Sequence, residues 1–386
     1  MNTRDQTLFL LQQKANSFAP LPTVINKLDA LINTAEPNYD LIADTIHTDV
    51  TLTTRLLHIA NSPFFGLLRQ VSSIKDVIIL LGLVGVRNLV LGCKLMDQTN
   101  DFNIWQFIDQ RIFWRHSMAV AYTAKALAEL TNDDDIKAYA FTLGIIHRIG
   151  LCNLANSFPD QYQQILLGQK PLELAEVEIF GLNYYEAGGL LCKQWNLPPH
   201  LVNAITGNNN DDNTTQDLRN LLNLSTMLVP LLGYGESRQT VVFNIQLLLS
   251  ELDIDNELFQ GIWSLLPAQL STLFEHNPNS DNTPFRHDLT HITAYCDAED
   301  DKLKQALHLL LNYYNINKGD NSQVDLILQC SKTGNKDTKS SSTICDLTPF
   351  IKTFNKQTVV NWVELHQHLV LALTPFVTHT TKRVML

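Results

Sequence analysis

The sequence predicts an all-α helical bundle that carries a small C-terminal α+β module. Apolar residues recur at helical spacing through about residue 275. Pro and Gly interrupt these runs where helices would begin or end. The composition changes after His276, where residues 277–284 are rich in Asn, Pro, Ser and Asp, and the alternation typical of strands occurs only beyond this point.

The length of 386 residues exceeds what one hydrophobic core usually organises, so more than one domain is expected. Hydrophobic residues make up 45% of the chain, which is enough for globular cores. We expect, in order, a leading helix, a main helical domain, a helical extension, a linker and a small module. Their predicted ranges are 1–18, 19–213, 214–276, 277–284 and 285–386.

Helix-start and helix-stop signals are clear in the first hundred residues. Asp49 has the position of an N-cap before an apolar helix. Ser73 and Asp76 have the spacing of a capping box that opens the next helix. Gly82 suits the end of that helix, and a further helix is predicted over residues 84–96.

The helical pattern continues to about Phe274. A long helix is predicted over residues 105–130. The acidic run Asp133–Asp135 favours the start of a following helix, because negative charge is stabilised near a helix N-terminus, and this helix should end near His147. Among the shorter helices that follow, the pair Gly188-Gly189 predicts close packing against a neighbouring helix.

The residues beyond the linker predict the small α+β module. Residues 301–314 have helical spacing, and residues 324–328 alternate weakly as a strand would. Residues 343–347 are predicted as the return strand, and a closing helix is predicted over residues 359–373.

The charge distribution argues against nucleic-acid binding. The formal net charge is −11, and the chain lacks a run of Lys and Arg that would attract a phosphate backbone. The two predicted helices on either side of Gly82 could form a DNA-binding helix-turn-helix. Its second helix, however, offers only Arg87, Asn88 and Lys94 as polar readers, so core packing is the preferred interpretation.

The sequence also favours a cytoplasmic protein without membrane contact. The apolar run near the N-terminus is too short for a signal peptide. The longest apolar stretch, residues 77–86, is shorter than the roughly 20 residues needed to span a bilayer. The six cysteines are dispersed without a C-x-x-C pair, which favours buried free thiols in a reducing compartment.

A series of short motifs together resembles a known family. In chain order they are Asn61-Ser62, Gly66, Ser73-Ile74, Leu81-Gly82, Trp114–Ser117, Leu143–His147, Phe180-Gly181 and Trp195–Pro198. This order resembles the HDOD family, the HD-related output domain of bacterial signalling proteins, over residues 19–213. The resemblance implies an all-helical bundle, a role in signal transduction and usually no demonstrated enzyme activity.

The resemblance also implies that a metal site has degenerated. In catalytic HD relatives, histidines and an adjacent His-Asp pair hold metals that activate water. Here His116 and His147 match the first two positions, but Arg148 replaces the aspartate. Asn183 stands near the next expected histidine, and the pair Asn208-Asn209 replaces the usual His-His. Carboxamides are poor ligands for such metals, so we expect no metal, no cofactor and no enzyme activity.

We therefore interpret the chain as a non-catalytic signalling protein that binds other signalling proteins, or a nucleotide, through the degenerate pocket. The alternative is a metal-dependent HD-type phosphohydrolase with unusual ligands. A buried guanidinium at Arg148 would need a carboxylate, for which Glu186 and Asp160 are the candidates. The predicted pocket residues are His116, His147, Arg148, Asn183, Glu186, Asn208 and Asn209.

Overall fold

A computed structural model gives the fold of the chain. The residues that it describes are 3–15, 23–61, 70–99, 102–168, 170–195, 197–207, 213–234, 239–241, 244–274, 293–297, 301–313, 317–318, 326–329, 343–347, 351–354, 357–361 and 365. The predicted linker at 277–284 and the residues Asn208 and Asn209 lie outside this set.

The chain divides into two compact units, Met1–Gly168 with Leu172–Ser225, and Gln169–Pro171 with Thr226–Leu386. The part of the first unit that is described is helical, apart from turns and one short 3-10 helix at Asn103–Gln106. Its helices are α1 (Thr3–Ala15), α2 (Thr23–Ile32), α3 (Tyr39–His47), α4 (Val50–Ala60), α5 (Ile74–Gln98), α6 (Gln110–Ala128), α7 (Asp134–Ile146), α8 (Ile149–Ser157), α9 (Pro159–Leu167), α10 (Leu172–Phe180), α11 (Tyr184–Gln194), α12 (Pro199–Thr206) and α13 (Asn213–Leu231). The all-α HD-like fold predicted for this region is therefore confirmed.

The predicted helix caps have the expected geometry. The Asp49 side chain accepts a hydrogen bond from the Leu52 N–H at 2.9 Å, and α4 begins at the next residue. The Ser73 hydroxyl oxygen accepts from the Asp76 N–H at 3.1 Å and donates to the Asp76 carboxylate at 2.7 Å. At Gly82 the backbone has φ 69° and ψ 172°, so α5 is interrupted by a non-helical residue where the sequence indicated a break.

The start of the long helix differs from the prediction over 105–130. The Asp109 side chain accepts from the Arg111 and Ile112 N–H groups, and α6 starts at Gln110 because this cap fixes its first turn. A second difference follows His147, because α8 begins at Ile149, where the sequence indicated only the end of a helix.

Glycines allow two close helix contacts that hold the segment from residue 144 to residue 150. A Cβ at Gly144 would lie 2.3 Å from the Cα of Ala121, so α7 crosses α6 at backbone distance. A Cβ at Gly150 would lie 2.2 Å from the Gly188 nitrogen, so α8 crosses α11 in the same way. A Cβ at Gly189 would meet the Thr206 side chain at 2.0 Å. The predicted role of Gly188-Gly189 in close helix packing is confirmed.

The second unit contains helices and strands in its described part. The helices are α14 (Ile245–Glu251), α15 (Asn256–Phe274) and α16 (Asp301–Tyr313), and the strands are β1 (Gln239–Val241), β2 (Thr293–Asp297), β3 (Asn317–Lys318), β4 (Leu326–Gln329), β5 (Thr343–Asp346), β6 (Ile351–Phe354) and β7 (Gln357–Asn361). Strands β3, β2, β4 and β5 form a parallel sheet in that order, and β1, β7 and β6 form an antiparallel sheet.

Two predictions for the C-terminal residues are wrong. The strand predicted at 343–347 does form, as β5, but it pairs parallel to β4 and is therefore not the return strand of a hairpin. The helix predicted over 359–373 does not begin there. Residues 359–361 belong to β7, in which Val359 and Val360 pair with β1, as suits β-branched side chains.

The division into units differs from the predicted boundaries at 213 and 276. The boundary falls within α13, and α14 and α15 both pack against α16 of the second unit. The leading helix α1 belongs to the first unit, where it packs against α8, α10 and α11. The predicted α+β module at 285–386 stays a prediction, since many of its residues lie outside the described set.

Two stretches are long and apolar enough to cross a membrane by length and composition. They are Ile74–Lys94, which is 50% buried inside the protein, and Asp134–Ser157, which is 89% buried. The core helices of soluble proteins pass the same test, so these stretches are weak evidence for membrane insertion.

The described cysteines are buried, as the sequence predicted. Cys93, Cys152, Cys192 and Cys296 are buried free thiols. Burial raises the pKa of Cys93 and of Cys192 to about 12, so neither thiol is a reactive thiolate at neutral pH.

Substitution of Gly150 by Ala should destabilise the protein strongly. The new Cβ would lie 1.8 Å from the Tyr184 carbonyl oxygen, so α8 and α11 must separate, at a cost of about 3 kcal/mol or more. Gly261→Ala is the control, because nothing lies within 4 Å of its Cβ and Ala favours a helix by about 1 kcal/mol. Urea denaturation followed by circular dichroism measures both. Equal unfolding free energies for the two variants would contradict the proposed contact.

Candidate functional site

The candidate site is centred on the two residues that link α7 and α8. His147 is the C-cap residue of α7 and Arg148 the N-cap residue of α8. Both are buried, with relative exposures of 1% and 6%. The backbone contacts at Gly144 and Gly150 hold this link on both sides, so the two side chains project from fixed positions.

His147 is held as a neutral imidazole. Its Nδ1 lies 2.6 Å from the Gly144 carbonyl oxygen, which can only accept, so Nδ1 carries the proton and Nε2 the lone pair. Burial lowers the pKa of His147 well below its ordinary value, and the nearby His116, Arg148 and Arg219 lower this pKa further. The rings of His116 and His147 are 5.6 Å apart between centroids, so the first two predicted residues do meet.

Arg148 is a buried cation with two kinds of neighbour. Its guanidinium carbon lies 5.3 Å from the centroid of the Phe113 ring on α6, a cation–π distance. Its charge also acts on Glu173 of α10. Burial raises the pKa of Glu173, and Arg148 is among the groups that oppose this increase. Arg148 therefore contributes positive charge to a site formed by α6, α8 and α10.

Two acidic residues of α10 interact with the start of α11. The Tyr184 hydroxyl donates to Glu173 at 3.3 Å, and the Tyr184 N–H donates to Glu176 at 2.8 Å. The Tyr162 hydroxyl also donates to Glu176, at 2.5 Å. Burial raises the pKa of Glu176 to about 8, against the opposing effect of these two hydrogen bonds. Glu176 is therefore mostly protonated at neutral pH.

Arg219 supplies a second cation to this region. From α13 it donates to the carbonyl oxygens of Ala204 and Ile205 at 3.1 and 2.9 Å, which satisfies the last turn of α12. Its guanidinium carbon lies 4.7 Å from the centroid of the Tyr185 ring. Arg219 lowers the pKa of both His147 and Glu173, although Arg148 has the larger effect on each.

Two of the predicted pocket residues cap the start of α11. The Asn183 side chain accepts from the Glu186 N–H, and the Glu186 carboxylate accepts from the Asn183 N–H at 3.2 Å, which forms a complete capping box for α11. The other Glu186 oxygen accepts from Arg4 at 2.6 Å. Both oxygens of Glu186, the acid expected for Arg148, therefore have other partners. The remaining two predicted residues, Asn208 and Asn209, lie outside the described part.

The sequence analysis missed Glu173, Tyr184 and Arg219. Glu173 and Arg219 lie on α10 and α13, away from the motifs that identified the pocket, whereas Tyr184 directly follows Asn183 at the start of α11. One signal was present: the Asn-x-x-Glu spacing of Asn183 and Glu186 is that of a capping box, which would have assigned both to the helix start.

The side chains present do not fit a divalent metal. Among the described residues, no group of three or more His, Cys, Asp or Glu side chains is arranged to hold one. His147 has the fixed guanidinium of Arg148 beside it. Arg148 cannot lose its proton, so this positive charge is permanent. The geometry therefore supports binding of a neutral or anionic group better than binding of a cation.

Comparison with known proteins places this site in a family. Residues 18–210 match the family profile described as the HDOD domain. A structure of an HDOD domain protein of unknown function from Geobacter sulfurreducens superposes with a TM-score of 0.56 at 22% identity, and covers 70% of this chain and 99% of that one.

Other relatives have different designations. A candidate phosphohydrolase from Shewanella amazonensis superposes with a TM-score of 0.53 at 22% identity, covering 68% of this chain and 97% of that one. An uncharacterized protein of Treponema pallidum is 22% identical over 219 residues, which is 55% of this chain. The chain spans 41% of the length of that relative. At these identities the structures show the fold alone.

Arg148 and Glu173 should be energetically coupled. Alanine at either position leaves the other charge poorly compensated, so the double variant should lose less stability than the two single losses together. We expect a coupling of about 1 kcal/mol or more in a double-mutant cycle measured by urea denaturation. The cycle of Arg148→Ala with Glu186→Ala is the control and should be additive, because Glu186 is bound by Arg4. Additive losses for Arg148 and Glu173, together with coupling between Arg148 and Glu186, would contradict the interaction of Arg148 with Glu173.

Glu176 should make the protein less stable as pH rises. Its folded pKa of about 8 lies above the ordinary value of 4.5, so between these values the folded state binds more protons than the unfolded state. Stability should fall over this window with a slope of up to about 1.4 kcal/mol per pH unit. Glu176→Gln imitates the protonated acid and should remove this component, whereas Glu178→Gln, at an exposed position of the same helix, should not. Urea denaturation from pH 5 to pH 9 measures the effect. If the free energy of unfolding depends on pH in the same way in Glu176→Gln and in the parent protein, the pKa of Glu176 is not raised.

Proposed function

This chain belongs to the HDOD family, and on that premise we propose that it is a non-catalytic regulatory protein of bacterial signal transduction. It acts by binding a partner protein through the surface beside the degenerate HD pocket. The observation that carries this proposal is the buried Arg148 at the position where catalytic HD relatives have a metal-binding aspartate.

Electrostatics weigh against the alternative, a phosphohydrolase with unusual ligands. A guanidinium about 4 Å from a divalent ion would repel it by several kcal/mol even at an effective dielectric of about 20. Neutral His147 and the protonated Glu176 do not supply the missing negative charge. Some structural neighbours bear phosphohydrolase designations, but at identities near 22% they support the fold and not the activity.

The exposed surface of α1 and α10 fits a protein partner. These helices pack against each other, and α10 carries Glu173 and Glu176 on its inner side. Phe9 and Val177, which are 50% and 46% exposed, give this surface apolar character. Exposed apolar side chains on contacting elements are typical of protein–protein interaction sites.

A nucleotide is the second candidate ligand, and one observation favours it. Arg148 and Arg219 both act on His147 and on Glu173, so two cations lie near the same buried groups. Guanidinium groups bind phosphate in a bidentate manner. If this candidate is correct, adenosine monophosphate should bind in isothermal titration calorimetry, and Arg148→Gln should weaken the binding.

Net charge and burial indicate which other kinds of partner and which compartment suit the protein. The net charge of −11 disfavours nucleic acid as a partner, and the buried free thiols suit a reducing cytoplasm. No membrane contact is proposed, since both apolar stretches are at least half buried in the protein. We also propose that residues 285–386 form a small module of helices and strands. The parallel order β3-β2-β4-β5, with α16 between β2 and β3 in the chain, is that of doubly wound folds and favours an α/β arrangement over the predicted α+β class.

The purified protein should contain no stoichiometric transition metal and should not hydrolyse phosphodiesters, including cyclic dinucleotides. The reason is the loss of anionic ligands at a site that keeps a permanent cation. Elemental analysis by mass spectrometry and a phosphodiesterase assay with added Mn²⁺ or Fe²⁺ test this. Arg148→Asp should not gain a metal either, because it restores only one ligand. About one metal per chain, removed together with hydrolysis by a chelator, would overturn the non-catalytic assignment.

The partner surface can be tested with charge substitutions. Val177→Asp with Ile179→Asp should abolish recovery of the specific partner by the immobilised chain, because each places a charge in an apolar interface. Leu167→Asp is the matched control, since Leu167 is 82% exposed on the neighbouring helix α9. Quantitative mass spectrometry compares the proteins retained by each variant. Retention of the same proteins by all three forms would show that this surface is not the interface.

A further inference from the structure

A second pocket lies in the first unit between α5, α6 and α7. Its volume is about 490 Å³, within the range of small-molecule sites. Leu80, Leu89, Ala138 and Phe141 give it an apolar wall. None of the residues that form the His147–Arg148 site lines it, so this pocket is distinct from the degenerate HD pocket.

The interruption of α5 at Gly82 shapes one side of the pocket. With φ 69° and ψ 172° at Gly82, the helix direction breaks and a new helical segment starts at Leu83. Leu81 and Gly85, on either side of the break, both line the pocket. The start of a helix carries partial positive charge, so this wall favours a negatively charged group.

Thr142 supplies a second, independent indication of a ligand. Its side chain is fully buried, lines the pocket, and has no hydrogen-bond partner for its hydroxyl among the described residues. The usual acceptor for a helical threonine is the carbonyl four residues earlier, that of Ala138, which already accepts from the Asn88 side chain at 3.1 Å. Buried polar groups are nearly always paired, so an unpaired hydroxyl at a pocket wall indicates a polar ligand atom.

Two lysines, each paired with an acid, supply hydrogen-bond donors to the pocket. The Lys125 side chain is only 16% exposed and binds Glu129, whose side chain is 49% exposed. The Lys137 side chain is 29% exposed and lies 3.8 Å from Asp134, which is fully exposed. Glu129 and Asp134 also line the pocket. An ammonium group has three donors, so each lysine can keep its acid partner and still donate to a ligand anion.

We propose that this pocket binds a small amphipathic carboxylate, namely a medium-chain acyl acid. Its apolar chain would pack on Leu80, Leu89 and Phe141. Its carboxylate would meet the start of the second segment of α5, Thr142 and the lysines. A neutral molecule of the same shape would use the apolar wall but none of the positive charge.

Isothermal titration calorimetry with sodium decanoate and with decan-1-ol tests this on the full chain. Decanoate should bind with a stoichiometry of one, and about tenfold more tightly than the alcohol. Lys137→Gln should remove most of this preference. Thr142→Val should weaken decanoate binding about three- to tenfold while leaving the fold intact, because it deletes an unpaired buried hydroxyl without changing the volume.

Two further variants locate the binding site. Ala138→Phe fills the pocket and should abolish binding of both probes, and thermal unfolding checks that it folds. Lys75→Gln is the charge control, since Lys75 is a half-exposed partner of Asp40 and does not line the pocket. The proposal is overturned by absent binding at millimolar decanoate, by equal affinity for the alcohol, or by binding that Thr142→Val and a folded Ala138→Phe leave unchanged.

Discussion

Backbone contact at two glycines fixes the link on which the candidate site depends. Gly144 lets α7 touch the backbone of α6 at Ala121, and Gly150 lets α8 touch α11 at Gly188. His147 and Arg148 lie between these contacts, so neither can move without separating two helix pairs. Side chains longer than hydrogen at either glycine would push apart the elements that supply Phe113, His116 and Tyr184. Backbone packing at these two glycines therefore fixes the positions from which the side chains of the site interact.

Within this frame, burial determines which groups are charged. Desolvation disfavours the ionised form of every group in the site, so His147 is neutral and Glu176 is protonated near pH 7. Arg148 and Arg219 cannot respond in this way, because a guanidinium does not lose its proton in proteins. The site therefore keeps a cation while its nearby acids are partly neutralised. This is the opposite of a metal site, in which clustered anions compensate a divalent ion.

The sequence predicted those features that depend on local geometry. Asp49 and Ser73 cap helices because their side chains reach N–H groups within one turn, and Gly82 breaks α5 because a positive φ favours glycine. The partners of Arg148 could not be predicted in this way. Phe113 is 35 residues earlier and Glu173 is 25 residues later, and only the tertiary packing of α6, α8 and α10 brings them near. Glu186 was misassigned because its role in a capping box competes with any role in the pocket.

A buried arginine and a bound metal ion hold a helical bundle together in different ways. In a metal site, one ion crosslinks several helices, and folding then depends on supply of that ion. Here the cation is part of the chain: Arg148 at the start of α8 meets Phe113 of α6 and acts on Glu173 of α10. Arg219 similarly joins α13 to the end of α12. The helices around the site are therefore linked by cations that belong to the chain itself and do not depend on the supply of an ion.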